Sequence, residues 1–128
     1  MRARTIAGMA AGTATLMCAT VLPASANNVD LAAGPPRGPK YHHGLWNDLN
    51  DTLGACLGGS GTFYRVVIKI SPADGAGPTF SILDEVAGPP CRYTGNLSIP
   101  EDERYIMSLT AYNVNPENNV TASQAFYT

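Results

Sequence analysis

The sequence predicts an all-β protein: a small antiparallel sandwich or barrel-like domain of about five to six strands, with one short N-terminal helix and one disulfide. The first observation behind this prediction is the stretch "TFYRVVIKI", which alternates apolar and polar residues with the period of two that marks a half-buried strand. The second is a series of similar runs that start 12 to 17 residues apart, with turn-forming residues between them. The third is the pair of cysteines that remains once the N-terminal leader is set aside.

Residues 1–26 have the features of a secretory signal peptide. Arg2 and Arg4 precede a long uncharged run, and Ala24 and Ala26 form the small-x-small pattern that signal peptidase reads. The run is too rich in Gly, Thr and Ala to suggest a membrane anchor. We therefore expect cleavage after Ala26 and secretion of the remaining 102 of the 128 residues, with no attachment to a membrane.

The next part of the chain is predicted to be less regular. Residues 27–44 are predicted to form an irregular arm, because "AAGPPRGPK" concentrates glycine and proline, although residues 28–32 are a candidate edge strand. A single β-domain is then predicted over residues 45–128, and it begins with a short helix over residues 45–53. The helix is suggested by leucines that recur every four residues and by Gly54, which follows where a helix commonly stops.

Strands are predicted from about residue 62 to residue 127. "TFYRVVIKI" comes first, followed by "TFSILDEV", in which Asp84 falls on the otherwise apolar face, and by "CRYTGNLSI", the most clearly amphipathic run. "RYIMSLTAYNV" carries apolar residues on both faces, which predicts a central strand, and "VTASQAFY" is the last strand. Cys56 and Cys91 are predicted to form the disulfide, because an even number of cysteines in an exported chain favours pairing.

Charge and motif content argue against several classes of function. Without the leader, six basic residues face ten acidic ones, so the net charge is −4 and neither nucleic acid nor an anionic membrane is a predicted partner. His42 and His43 are adjacent and should point to opposite faces of an extended chain, which disfavours joint metal binding. "NDLND" starts like a calcium-binding loop but has Leu53 where that loop needs glycine. We therefore predict no metal, no cofactor and no catalytic residues.

These expectations favour a secreted, non-enzymatic β-domain that binds an extracellular protein or carbohydrate through its loops or one sheet face. A specific version is an inhibitor of an extracellular enzyme, with a candidate binding loop formed by Ala87, Gly88, Pro89, Pro90, Arg92 and Tyr93. For a carbohydrate site, the aromatic residues considered are Tyr41, Trp46, Tyr64, Tyr112 and Tyr127. Two alternatives stay open: a small hydrolase or metal-dependent enzyme that uses His42 or His43, and a structural component of an envelope or coat.

Overall fold

The structure, a computed structural model, describes residues 27–35, 41–59 and 61–128. Within these residues, eight strands form two antiparallel sheets of four strands each, which pack face to face. The predicted all-β class is confirmed, and two separate sheets make the domain a β-sandwich rather than a barrel. The predicted signal peptide lies outside the described residues.

In both sheets, most strands that lie side by side are also consecutive in the sequence. The first sheet has the spatial order β1 (Val29–Ala33), β2 (His42–Asn47), β3 (Thr52–Cys56) and β6 (Arg92–Tyr93). The second sheet has the order β5 (Phe80–Asp84), β4 (Phe63–Pro72), β7 (Arg104–Asn113) and β8 (Val120–Tyr127), with a 3₁₀ turn, Pro116–Asn118, between β7 and β8. Four of the five predicted runs are thus confirmed as strands, and β7 has the predicted central position between β4 and β8.

The predicted helix over residues 45–53 is wrong, because this stretch forms the β2–β3 hairpin instead. Trp46 pairs with Leu53 across the hairpin, and both side chains point into the core. Leu49, which the helix would have buried, lies in the turn and is 80% exposed. The side-chain Oδ1 of Asn47 accepts the backbone N–H groups of Leu49 and Asn50 at 3.0 and 3.2 Å. Such local bonds from Asn favour a turn over a helix, and they outweigh the leucine spacing.

Two other boundaries are corrected. The predicted irregular arm over residues 27–44 contains β1 and the start of β2, so it is not irregular throughout. The candidate edge strand within it is confirmed as β1. The run from Cys91 to Ile99 was expected to be a full strand, but only β6 is one. The chain leaves the regular ladder at Thr94, where the hydroxyl accepts the N–H of Leu53 at 2.9 Å.

The core lies between the sheets and draws on both of them. Its largest members include Trp46 from the first sheet and Ile68, Met107 and Leu109 from the second, all almost completely buried. Gly44, on β2, faces this core. A Cβ atom there would lie 2.8 Å from Cδ1 of Ile68 and 3.1 Å from Sδ of Met107. Glycine at this position lets the two sheets approach each other closely.

Candidate functional site

Two connections between the sheets are joined to each other and form the frame of the candidate site. Residues 57–62 carry the chain from β3 to β4, and residues 85–91 carry it from β5 to β6. The backbone N–H and the backbone C=O of Leu57 both form hydrogen bonds that join them. Its N–H donates to Oδ2 of Asp84 at 2.9 Å, and its C=O accepts the N–H of Gly88 at 3.1 Å. The two connections are therefore held together by backbone groups of one residue.

The predicted disulfide between Cys56 and Cys91 is present, with the two Cα atoms 4.6 Å apart. It ties the end of the 85–91 connection to β3, directly before the two residue pairs that join β3 to β6. A ladder of two pairs is short, so the covalent bond is the firmer attachment at this point. A disulfide in a small domain is also compatible with an extracellular location.

Asp84 is the buried carboxylate that holds the other end of this connection. It lies on the inward face of β5 and is completely buried, although that face is otherwise apolar. Besides the bond from Leu57, its Oδ1 accepts the N–H of Val86 at 3.1 Å. Amide donors on both carboxylate oxygens offset part of the cost of removing the charge from water. The sequence marked Asp84 only as an exception in an alternating pattern, and that exception is the signal of its anchoring role.

We call residues 85–91 the anchored loop, because Asp84, Leu57 and the disulfide hold it at its start, middle and end. Val86 is 65% exposed, and Ala87, Pro89 and Pro90 are exposed as well. Gly88 has a φ of 84°, a conformation that residues with a side chain rarely adopt. The predicted binding loop is therefore divided: its first four residues lie in the anchored loop, whereas Arg92 and Tyr93 belong to β6.

An ion pair fixes the first side chain of the anchored loop. The Nε–H of Arg65 donates to Oε2 of Glu85 at 2.9 Å, and a second nitrogen of the same guanidinium lies 2.7 Å from that oxygen. The guanidinium also lies 5.8 Å from the centre of the Tyr64 ring, which is close enough for a cation–π contact. Both partners of the ion pair are substantially exposed, so its stabilising effect is small, but it limits the directions that Glu85 can take.

The two histidines point to opposite faces of β2, as predicted for adjacent residues of a strand. His42 is completely buried against the rings of Tyr41 and Phe63. Its Nδ1 accepts the N–H of Gly58 at 3.0 Å. The neutral ring therefore carries its proton on Nε2, which is buried and has no partner among the described residues. Burial, with a smaller effect from the nearby His43, lowers the pKa of His42.

His43 lies on the outer face of the first sheet, where its Nδ1–H donates to Oδ1 of Asp30 at 2.7 Å. This is a histidine with a carboxylate within hydrogen-bond reach, the arrangement that the alternative enzyme hypothesis requires. His42 does not add to it, because that ring is enclosed in the interior. Among the described residues, no group of three or more His, Cys, Asp or Glu side chains is placed to hold a metal ion.

A depression lies beside this pair on the same outer face. Its cavity volume is about 340 Å³, and its lining includes Asp30, Leu45, Asn47, Thr52 and Tyr93. We call it the Tyr93 groove. Sequence reasoning missed it, because its residues come from four strands whose register no local pattern reveals.

Apart from Trp46, the aromatic residues considered for a carbohydrate site do not line the Tyr93 groove. Trp46 is a core residue, and Tyr41 packs against the buried histidine. Tyr64 and Tyr112 lie together on the second sheet, with ring centres 6.4 Å apart, and Tyr127 is on β8 of that sheet. Tyr93, which was assigned to the binding loop instead, is the exposed aromatic residue of the depression, whereas Trp46 lines it but is only 2% exposed.

Comparison with known proteins does not add a family to this description. The chain matches no protein-family model, no curated protein and no solved structure. In the part of the chain that the structure describes, no helix has the length and apolar character needed to cross a membrane.

Proposed function

We propose that the protein is a secreted, non-enzymatic binding domain that attaches to an extracellular protein through the anchored loop. In its most specific form, the partner is an extracellular hydrolase, which the protein inhibits by occupying its substrate cleft. One observation carries the proposal: an apolar side chain, Val86, projects into solvent from a loop whose backbone is fixed at three places.

Fixed backbone geometry favours binding for a thermodynamic reason. Each side chain or loop segment that must be ordered on association reduces the affinity, by about 0.5–1.5 kcal/mol for a flexible side chain. The anchored loop is held in one conformation before a partner arrives, so less of this cost remains. Exposed apolar side chains on such a loop supply the contact area that binding requires.

The leader and the disulfide support the extracellular part of the proposal. A chain that starts with signal-peptide features and contains a cystine fits an oxidising compartment.

The test is a panel of purified secreted endopeptidases and glycosidases, each assayed with and without a molar excess of the protein. We expect at least one enzyme to be inhibited, and we expect Val86→Ser to weaken that inhibition. Leu49→Ser is the matched control, because Leu49 is also exposed and apolar but lies in the β2–β3 turn, at the other end of β3 from Cys56. Unchanged rates across the panel, or equal losses for the two variants, would contradict the inhibitor proposal.

A further inference from the structure

The register of the strands in the first sheet brings together the residues that line the Tyr93 groove. On the outer face of the first sheet, Asp30 pairs with Leu45, Leu45 with Gly54 and Gly54 with Tyr93. Directly paired residues of antiparallel strands project to the same side, so these four form one row across the sheet. Gly54 has no side chain and leaves a gap in the row, between Leu45 and Tyr93.

The ring of Tyr93 leans over this gap. A Cβ atom on Gly54 would lie 2.6 Å from Cε1 and 2.7 Å from Cδ1 of the Tyr93 ring. The ring therefore packs against the backbone of Gly54, and yet 57% of Tyr93 is accessible to solvent. An aromatic ring that packs on the sheet with one side and is exposed to solvent on the other can act as a platform on which a ligand packs.

The polar groups around the platform are held in place by bonds within the chain. Asn28 accepts the N–H of Asp48 at 2.9 Å through its Oδ1, and Asn47 uses its Oδ1 for the β2–β3 turn. Each amide therefore offers its NH₂ group as the remaining donor. Asp30 uses Oδ1 for His43 and has Oδ2 as a further acceptor, while Thr52 adds a hydroxyl that can donate or accept.

This lining indicates which ligands the groove suits. No lysine or arginine among the described residues lines it, and it contains the carboxylate of Asp30, so phosphates and other anions are disfavoured. An aromatic and aliphatic floor with a rim of donors and acceptors instead matches a neutral molecule with apolar C–H faces and hydroxyl edges. A pyranose ring has that character: its C–H face packs on an aromatic ring and its hydroxyls bond to amides and carboxylates.

The geometry points to a binding site for one ring of a neutral polysaccharide or oligosaccharide in the Tyr93 groove. The cavity of about 340 Å³ is at the small end of the range for ligand sites, which suits a single sugar ring. The groove lies on the outer face of a sheet, so the rest of a sugar chain can continue along the surface. This site is separate from the anchored loop, and it holds whether or not the loop inhibits an enzyme.

The experiment is calorimetric titration of the protein with neutral hexasaccharides of β-1,4-linked glucose, β-1,4-linked N-acetylglucosamine, β-1,4-linked mannose and α-1,4-linked glucose. A hexasaccharide of galacturonate serves as the anionic comparison. We expect at least one neutral ligand to bind, and the anionic one to bind more weakly. If no neutral ligand binds, or if the anionic one binds best, the inference is overturned.

Variants locate the site. We expect Tyr93→Ala to weaken binding about tenfold or more, whereas Tyr93→Phe keeps it within about threefold because the platform remains. Tyr127→Ala is the matched control, since Tyr127 is 54% exposed but lies on the second sheet. Thr52→Val, an isosteric change on another strand, should weaken binding without disturbing β6, and so decides the matter if Tyr93→Ala fails to fold. Full affinity in both Tyr93→Ala and Thr52→Val, or an equal loss in Tyr127→Ala, would refute the site.

Val86→Ser separates the two proposals. This variant should bind the saccharide as the unaltered protein does, while its inhibition of an enzyme is weakened. Loss of saccharide binding in Val86→Ser would place that binding at the anchored loop and overturn the groove.

Discussion

Removal of the disulfide tests how strongly one covalent bond supports a small sandwich with a short β3–β6 ladder. The bridge closes a loop with a sequence separation of 35 residues. In the chain-entropy model, a loop of this size lowers the entropy of the unfolded chain by about 13 cal/mol/K, which corresponds to about 4 kcal/mol at 25 °C. Typical domains have a free energy of unfolding of roughly 5–15 kcal/mol, so the effect is a large share of the total.

The perturbation is the double substitution Cys56→Ala with Cys91→Ala, which leaves no free thiol in residues 27–128. We expect the free energy of unfolding, measured by urea titration with circular dichroism, to fall by about 3–4 kcal/mol. With a denaturant slope of about 1.5–2 kcal/mol/M, the urea midpoint would fall by roughly 2 M. Hydrogen exchange should show faster exchange at the N–H of Gly88, which bonds to Leu57 in the anchored loop.

Reduction of the unaltered protein is the control, because it opens the same loop without changing any residue. Both routes should reach the same stability within about 1 kcal/mol, since the entropic effect depends on loop closure and not on the residue that replaces cysteine. A loss below about 1 kcal/mol by both routes would refute the reasoning, and it would mean that the unfolded chain is already constrained without the bond.

Three further predictions test the core and the buried histidine. The free energy of unfolding should fall as the pH drops below 6.5, the ordinary pKa of histidine, because the pKa of His42 is lowered in the folded state and the unfolded chain therefore takes up a proton that the folded chain excludes. Urea midpoints measured between pH 7.5 and 5 should depend less on pH for His42→Gln than for the unaltered protein. Parallel pH profiles of the two proteins would assign the effect to another group. Gly44→Ala should lower thermal stability by about 1–3 kcal/mol through overpacking, whereas Gly59→Ala, with open space around the new methyl group, should be nearly neutral. Leu53→Ala should lower the free energy of unfolding, measured with urea, by about 2–5 kcal/mol, and Leu49→Ala should lower it by under about 0.5 kcal/mol. Similar losses for the two variants would favour the helix over the hairpin.

Local alternation was a sound guide where strands are long. In β4, residues 66–70 alternate between the core and the surface as the sequence pattern indicates, although a register shift between Phe63 and Arg65 interrupts the alternation at the start of the strand. The central position of β7 was indicated by apolar residues on both of its faces. The β2–β3 hairpin was missed because Leu45 and Leu53 match a helical spacing, although their side chains point to opposite faces of a sheet. The turn-forming residues of "NDLND" favour a hairpin, and their effect outweighs the leucine spacing that suggested a helix.

The candidate sites were predictable to different extents. The disulfide followed from cysteine count alone, and the exposed part of the anchored loop followed from glycine and proline content. The role of Leu57 was not predictable, because it depends on backbone groups rather than on the identity of its side chain. The Tyr93 groove depends on which residues of four strands become neighbours, and long-range register of this kind cannot be obtained from local spacing.

The double use of Leu57 has a consequence for how this protein can vary. The β3–β4 and β5–β6 connections share its N–H and C=O, so neither connection has an independent length or path. An insertion between Cys56 and Leu57 would move the acceptor that positions Gly88, and a sequence grafted into the 85–91 connection would have to supply a matching donor. Libraries of variants made for new specificities should therefore diversify the two connections together, with Leu57 and Asp84 left unchanged.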